Sequence, residues 1–255
     1  MDDYLRLSGR QNSEADAMTH HISKSDRYWQ NWDNGEAAKR IDRYWLESEK
    51  GWRDMLGADI RGELGRPDRV LEVGCGSGLI FQAMLDNRVV TASSYVGGDV
   101  SRKMLSIARK RFPDVSFIDL DVLDIEYPDR SWPAVISVQV LQHLPYYDRA
   151  ISELMRITRD VLYLVSWFNT GLDDELVFSA PSEMWDGQAF QNNYYSLPRF
   201  LTHILNTCAR PLASLKVRRL VHQTYSVSLV FGDPVPQRRS FFDRLTRYAN
   251  TLLRS

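Results

Sequence analysis

The sequence predicts an α/β protein built on a doubly wound, mostly parallel sheet of seven strands. Short apolar runs recur along the middle of the chain, and apolar patterns at helical spacing separate them. The first run breaks into a glycine-rich turn, and residues 212–221 and 225–231 alternate like an antiparallel hairpin. Regular alternation of strands and helices indicates βαβ units. We therefore expect a parallel sheet that a C-terminal antiparallel hairpin closes.

Composition places the chain among ordinary globular proteins. It has 255 residues, of which 44% are hydrophobic and 25% are charged, enough for one good core. The formal net charge of −1 gives no electrostatic reason to expect a nucleic-acid partner. There is no apolar run of about 20 residues and no basic-then-apolar N-terminus. We expect a cytoplasmic protein.

Cysteine and histidine positions give no metal site and no disulfide framework. Cys75 and Cys208 are far apart in sequence, and neither has a second cysteine at a metal-binding spacing. His20 and His21 are adjacent but lack two further ligands at a suitable distance. We expect no bound metal.

The first predicted strand, residues 70–73, ends in a turn with glycines at every second position. Gly74, Gly76 and Gly78 let the backbone bend tightly and let a ligand approach closely, and the helix that follows offers free N–H groups. Glu72 precedes them, and a carboxylate there suits a cationic ligand better than a pyrophosphate. Leu79 stands where the phosphate-binding fingerprint G-x-G-x-x-G would continue. Together with Glu72, it argues against a nicotinamide-dependent oxidoreductase.

A second acidic residue ends the next predicted strand, which covers residues 91–98. Asp99 lies 21 residues after Gly78, where a doubly wound fold places the carboxylate that accepts the ribose hydroxyls of a nucleotide. The alternative is an acidic residue that stabilises a helix N-terminus. The glycine turn upstream favours the ribose role.

The pattern Glu72-x-Gly74-x-Gly76-x-Gly78 resembles motif I of the class I S-adenosylmethionine-dependent methyltransferases. The resemblance covers residues 69–232. It implies a Rossmann-like fold with an N-terminal helical lid, S-adenosylmethionine as cofactor, and methyl transfer. One departure is Pro133, where the family usually has an aspartate before the fourth strand.

The resemblance also implies roles for residues after strands three and four. Asp121, with Val122 beside it, takes the place of the acidic residue that binds the adenine amino group, and Asp119 and Asp124 are alternatives. The backbone after strand four would border the methionine half of the cofactor. The complete set of expected cofactor-binding residues is Glu72, Gly74, Cys75, Gly76, Gly78, Asp99, Val100, Met104, Asp121, Val122, Gln139, Val140, Tyr28 and Trp32.

His143 is the expected catalytic residue. It follows strand four, at the sheet edge where open α/β proteins bind ligands. A histidine can take a proton from an attacking hydroxyl near neutral pH. The alternative is a structural histidine at a helix start.

We expect three segments: a helical lid over residues 1–66, a catalytic domain over 67–236, and a C-terminal helix over 237–255. The aromatic side chains of the lid, Tyr28, Trp29 and Trp32, either cover the cofactor or pack the helices onto the sheet. The C-terminal helix is basic and amphipathic, so it could lie on an anionic membrane or bind a partner, but docking on the protein's own core is favoured.

An insertion of about 30 residues, 167–196, follows the fifth strand and reads as a long loop. Its aromatic and amide side chains suit a polar organic substrate such as a sugar or an aromatic ring, or else they only dock the loop.

The sequence thus predicts methyl transfer to an oxygen or nitrogen of a small polar molecule, such as a sugar or a natural-product intermediate. The alternative is a noncatalytic S-adenosylmethionine-binding regulator or partner subunit. The motif of nucleic-acid amino methyltransferases is absent, because Val138-Gln139-Val140 stands in its place. The oligomeric state is not predicted.

Overall fold

A computed structural model describes residues 30–48, 50–179 and 190–232. Within these ranges the strands are β1 (Val70–Val73), β2 (Tyr95–Asp99), β3 (Ser116–Asp119), β4 (Trp132–Val138), β5 (Thr158–Asn169), β6 (Glu175–Ser179), β7 (Phe190–Ser196), β8 (Leu212–Val221) and β9 (Thr224–Phe231). The helices are α1 (Gly35–Ser48), α2 (Lys50–Leu64), α3 (Leu79–Asp86), α4 (Arg102–Arg111), α5 (Asp148–Ile157) and α6 (Leu197–Thr207).

Seven of the strands form the predicted sheet, in the order β3-β2-β1-β4-β5-β9-β8. The first five are parallel to one another, and β9 is antiparallel to both of its neighbours. The doubly wound α/β prediction with a C-terminal antiparallel hairpin is confirmed. The strand order reverses between β1 and β4, and in open α/β sheets ligands bind in the crevice at this switch point.

Strand β1 is short and buried at all four positions, Glu72 included. Leu71 and Val73 of this strand belong to one buried apolar cluster, and Val70 belongs to a second one together with Met84 and Ile136. Such two-sided burial is the reason parallel strands appear in the sequence as continuous apolar runs.

The insertion after β5 is not the long loop that the sequence predicts. Strand β5 continues to Asn169, and β6 and β7 form an antiparallel hairpin whose second strand pairs with Phe168 and Asn169. The described part of the chain therefore has nine strands instead of seven. Residues 180–189, between β6 and β7 in sequence, lie outside the described ranges.

Strand β4 begins earlier than predicted, at Trp132, and so contains Pro133. The pairing with β5 changes register between Trp132 and Ala134. Proline has no N–H to donate, so an irregularity at this point is the expected accommodation.

The N-terminal segment is helical, as predicted, but it is divided into a 3₁₀ turn at Gln30–Asp33 and the two helices α1 and α2. Residues 1–29 and 233–255 are outside the described ranges, so the predictions for Tyr28, Trp29 and the C-terminal helix remain untested. None of the described helices combines the length and apolar character needed to cross a bilayer.

Candidate active site

A cavity of about 450 Å³ opens at the carboxyl ends of β1, β2 and β4. Its volume is within the usual range for small-molecule sites. Most of the residues predicted for the site line it: Trp32, Glu72, Gly74, Cys75, Gly76, Asp99, Val100, Met104, Val122, Gln139, Val140 and His143.

Glu72 places a buried carboxyl group in the cavity wall. Its Oε2 accepts a hydrogen bond from the Tyr95 hydroxyl at 2.5 Å, whereas Oε1 has no partner in the described part of the chain. Burial raises the pKa of Glu72 to about 8, partly offset by the Tyr95 hydrogen bond. Since an unpartnered buried oxygen is unfavourable, Oε1 is a position where a ligand donor or cation would be stabilising.

Asp99 links the end of β2 to the glycine turn. Its Oδ2 accepts the backbone N–H of Gly76 at 2.7 Å, and its Oδ1 accepts the backbone N–H of Ser101 at 2.8 Å. Burial raises the pKa of Asp99, and these backbone hydrogen bonds oppose the rise. Each carboxylate oxygen can accept more than one bond, so both remain able to accept a ribose hydroxyl.

Gly74 lies against the loop after β4, where there is no room for a side chain. A Cβ on Gly74 would lie 2.0 Å from Cγ2 of Val140, and the backbone there has φ of +80°. Gly78 differs from the prediction, because it does not line the cavity; a Cβ there would meet the rings of Phe112 and Phe117 at 3.1–3.2 Å. Gly74 therefore allows the close approach of Val140, and Gly78 allows two phenylalanine rings to pack against the turn.

The loop after β4 contains a strained residue at the cavity. Gln139 has φ of +54°, which is uncommon for a residue with a side chain, and its N–H donates to the Val165 carbonyl at 2.8 Å. Strain of this kind concentrates at functional sites. The loop continues through a 3₁₀ turn at Leu141–His143.

His143 lies among aromatic rings from distant parts of the chain. Its ring centroid is 4.6 Å from that of Trp32 and 6.3 Å from that of Trp167. Trp32 also stacks with Trp45 at 6.2 Å, and Trp167 stacks with Tyr194 at 5.4 Å. The imidazole is therefore on the cavity wall, between the lid and the end of β5.

Polar contacts with α4 hold the 3₁₀ turn Gln30–Asp33 and helix α1 beside the cavity. The Ser101 hydroxyl donates to the Trp32 carbonyl at 2.7 Å, and Asp33 accepts the backbone N–H of Lys103 at 3.0 Å. Further along, Arg111 donates to both oxygens of Asp42 at 2.8 and 2.9 Å. These contacts place Trp32 and Trp45 beside the glycine turn.

Asp121 is not among the residues that line the cavity, although its neighbours Leu120 and Val122 are. Its Oδ1 accepts the Leu123 N–H at 2.9 Å, as in a local turn. The adenine role of Asp121 remains a prediction.

Several lining residues were not predicted as site residues. They are Tyr44, Trp45, Trp52, Arg53, Ser77, Leu120, Val221 and Thr224, with apolar neighbours between them. Trp167 and Asn192 also line the cavity, and they belong to the insertion 167–196 expected to bind substrate. Arg53 is the one lysine or arginine among the lining residues, and it donates to the carbonyls of Trp45 and Leu46 at the end of α1. Ser77 is buried, and its hydroxyl has no partner in the described residues. Its place inside the glycine motif was a signal that could have identified it.

These residues fit a cationic nucleoside with an amino-acid tail. The orphan oxygen of Glu72 and the carboxylate of Asp99 supply negative charge and acceptors. Gly76 leaves room for a ligand against the backbone, since the nearest atom to an added Cβ is in the Trp45 ring at 3.6 Å, and indole faces attract cations. S-adenosylmethionine has this chemistry.

Comparison with known proteins also indicates a methyltransferase. A family model described as a methyltransferase domain matches residues 71–164. A fatty-acid O-methyltransferase of Mycolicibacterium smegmatis is 31% identical over 104 residues, which are 40% of this chain and 35% of that protein. A phthiotriol/phenolphthiotriol dimycocerosates methyltransferase 1 of Mycobacterium ulcerans is 30% identical over 99 residues, which are 38% of this chain and 36% of that protein. The matched region is thus about a third of these relatives' length.

A solved structure described as a DhpI–SAM–HEP complex has a TM-score of 0.58 and 19% identity, covering 84% of this chain and 99% of that one. Likeness at this level of identity concerns the fold. Residues 71–164 therefore resemble the methyltransferase domain family, and the chain has the class I, Rossmann-like fold found in S-adenosylmethionine-dependent methyltransferases.

Proposed function

We propose that the chain binds S-adenosylmethionine and transfers its methyl group to an oxygen or nitrogen of a small molecule. The observation that carries this proposal is the pair of acids at the glycine turn: Glu72 with its unpartnered buried oxygen, and Asp99 bonded to Gly76. Bound S-adenosylmethionine supplies a methyl group that is already activated on a positively charged sulfur. The protein then has to orient the acceptor, and positioning can supply roughly 7–11 kcal/mol.

The two acids have different roles in binding. Asp99 accepts the ribose hydroxyls while its backbone bonds hold it in place. Glu72 faces the positive charge of the cofactor, and its ionised form becomes favoured when a cation is bound.

Arg53 is the proposed partner of the cofactor's carboxylate. It lines the same cavity as Glu72, and its bonds to the end of α1 fix the guanidinium beside Trp45. The Trp45 ring in turn lies 3.6 Å from where a Cβ of Gly76 would be. A guanidinium in the wall of the same cavity can bind a carboxylate by a charge-assisted hydrogen bond.

His143 is the proposed base. It lines the cavity between two indoles, close to the loop after β4 that borders the cofactor. A hydroxyl acceptor gains from transfer of its proton to the imidazole, whereas a neutral amine needs no such help. His143 is the residue to which we assign proton removal.

The acceptor has an apolar or flat body next to its reacting group. Away from the acids, the cavity is lined by Trp52, Trp167, Val221 and Thr224, with Asn192 as a polar contact. This surface favours a more apolar substrate than the sugar considered from sequence. The names of the relatives point in the same direction, since they include a fatty-acid O-methyltransferase.

The test is turnover of methyl-labelled S-adenosylmethionine with a panel of hydroxy, carboxy and amino amphiphiles, and with sugars. We expect label in at least one amphiphile, and His143→Gln should lower the rate by about 10²–10⁴-fold if the acceptor is a hydroxyl. His203→Gln is the matched control, because that histidine lies outside the cavity. Cofactor binding without label in any acceptor would instead support the noncatalytic regulator.

A further inference from the structure

The loop that carries His143 receives two buried side chains from strand β7. Nδ2 of Asn193 donates to the Leu144 carbonyl at 2.6 Å, and the Tyr195 hydroxyl donates to the same oxygen at 2.5 Å. Asn193 also donates to the Tyr195 hydroxyl at 3.0 Å, so the three groups form a closed triangle. Asn193 is 0% exposed and Tyr195 is 1% exposed. Both lone pairs of the Leu144 carbonyl are thus occupied, directly after His143.

The opposite face of β7 belongs to the cavity. Side chains alternate between the two faces of a strand, and Asn192 lines the cavity while Tyr194 stacks on Trp167 with an interplanar angle of 18°. One strand therefore builds a substrate wall with one face and holds the His143 loop with the other, through Asn193 and Tyr195.

Other contacts hold the earlier part of the same loop. The Gln139 N–H donates to the Val165 carbonyl at 2.8 Å, and the Ser166 hydroxyl donates to Oε1 of Gln142 at 2.9 Å. Both contacts come from β5, in the main sheet. The far end of the loop, at Leu144, is held by the hairpin.

We propose that Asn193 and Tyr195 are positioning residues that hold His143 at the cavity. This proposal depends on the proposed function in one respect, which is that it takes His143 to be the base. Burial raises the pKa of Tyr195, so its hydroxyl remains a donor at any working pH. The hairpin is then a part of the catalytic machinery, beyond its contact with substrate.

The direct test is the NMR signal of the His143 imidazole, assigned with His143→Gln. Because the ring lies 4.6 Å from the Trp32 ring, edge to face, its Cε1–H resonance should be displaced by the ring current. We expect Tyr195→Phe to reduce this displacement and Asn193→Ala combined with Tyr195→Phe to remove most of it. Tyr147→Phe is the matched control. Its ring packs 4.8 Å from that of Tyr195, while the triangle of bonds leaves it out.

An unchanged His143 resonance in Tyr195→Phe and in the double variant would overturn the proposal. Loss of the displacement in Tyr147→Phe as well would also overturn it, since it would mean that general packing, and not the bonds to Leu144, sets the ring position. Calorimetric affinity for S-adenosylhomocysteine separates the two proposals: no binding by the wild type would contradict the proposed function and leave the NMR result standing.

A kinetic readout follows once the amphiphile panel gives an acceptor. Misplacement of a catalytic group by about 1 Å can cost on the order of 100-fold in rate. We expect Tyr195→Phe to lower kcat by about tenfold or more, with the KM for S-adenosylmethionine unchanged. A fall in melting temperature with kcat unchanged would show that Asn193 and Tyr195 are structural only.

Discussion

At the scale of single residues, the proposed cofactor binding depends on a carboxyl group that the fold buries. Glu72 occupies a strand position that is buried on both sides, and its neighbours in the sheet are Gly97 and Ile136. Gly97 has no room for a side chain, since a Cβ would lie 2.8 Å from the Tyr95 hydroxyl and 2.9 Å from the sulfur of Cys75. This crowding keeps the Tyr95 hydroxyl against Glu72.

The raised pKa of Glu72 predicts a pH dependence of stability. Its pKa of about 8 in the folded protein exceeds the ordinary value of 4.5, so the folded state binds the proton more tightly. The stabilisation is complete below about pH 4.5 and is lost as the pH rises to about 8, by roughly 1.4 kcal/mol per pH unit. We expect the free energy of unfolding to fall over this range in the wild type and to fall less in Glu72→Gln. Parallel denaturant curves from pH 5 to 9 would contradict this.

Binding of a cation should be linked to the same proton. Because the cofactor's positive charge favours the ionised carboxyl, binding below pH 8 must release a proton from Glu72. We expect calorimetry with S-adenosylmethionine at pH 7 to give heats that depend on the buffer's ionisation enthalpy. In Glu72→Gln this dependence should be smaller, and equal dependence in both proteins would exclude Glu72 as the source.

Gly74 is the residue at which a small change should do most damage. Gly74→Ala would place a methyl group 2.0 Å from Val140 Cγ2, at a φ of +80°. We expect loss of cofactor binding and destabilisation of about 1–3 kcal/mol, measured by calorimetry and denaturant titration. Gly62→Ala is the control, because nothing lies within 4 Å of its added Cβ and it is inside α2. It should stabilise the protein by about 0.5–1 kcal/mol.

At the scale of elements, two acids anchor α2 to the sheet: Glu63 pairs with Lys216 and Arg218 of β8, and Asp59 reaches three strands. Asp59 accepts hydrogen bonds from the Tyr163 hydroxyl at 2.6 Å, from the Ser226 hydroxyl at 3.3 Å and from Arg218. These partners come from β5, β9 and β8, so a single carboxylate ties the helix to three strands. Since α2 carries Trp52 and Arg53, this anchor also sets one wall of the cavity.

We expect Asp59→Ala to destabilise the protein by about 2–4 kcal/mol, because it leaves buried donors without an acceptor. Lys216→Ala is the control on the same surface, since the Lys216 side chain is 52% exposed and its partner Glu63 keeps Arg218 as a second partner. Its effect should be within about 1 kcal/mol. Equal losses in both variants, measured by denaturant titration, would contradict the anchoring role of Asp59.

Elements with a local signal were predictable from the sequence, and the others were not. The β1 turn is visible because an apolar run and alternating glycines are adjacent in the chain. The hairpin of β6 and β7 was missed because the buried face of β7 carries Asn193 and Tyr195, so burial does not follow hydrophobicity there. Thr224 reaches the cavity only through the pairing of β9 with β5, which is a long-range contact.

At the scale of the whole molecule, the cavity is assembled from parts that are distant in sequence. The acids come from β1 and β2, the aromatic cover from the lid, the strained loop from β4, and the outer wall from the hairpin. Sequence motifs identified the cavity wall formed by the glycine turn and Asp99, because these residues belong to successive βα units. The opposite wall depends on tertiary packing between the helices before β1, the hairpin and the β8–β9 turn, which no local pattern specifies.

The central claim is that this cavity binds S-adenosylmethionine through Asp99 and the glycine turn. Its most direct test is calorimetric titration of the full chain with S-adenosylhomocysteine, in wild type, Asp99→Ala and Asp119→Ala. Asp119, an alternative for the adenine contact in the sequence analysis, ends the neighbouring strand β3 but is exposed and does not line the cavity, so it is the matched control. We predict one binding site in the wild type and Asp119→Ala, and no measurable heat in a folded Asp99→Ala. Wild-type affinity in Asp99→Ala, or no heat in the wild type, would contradict the account.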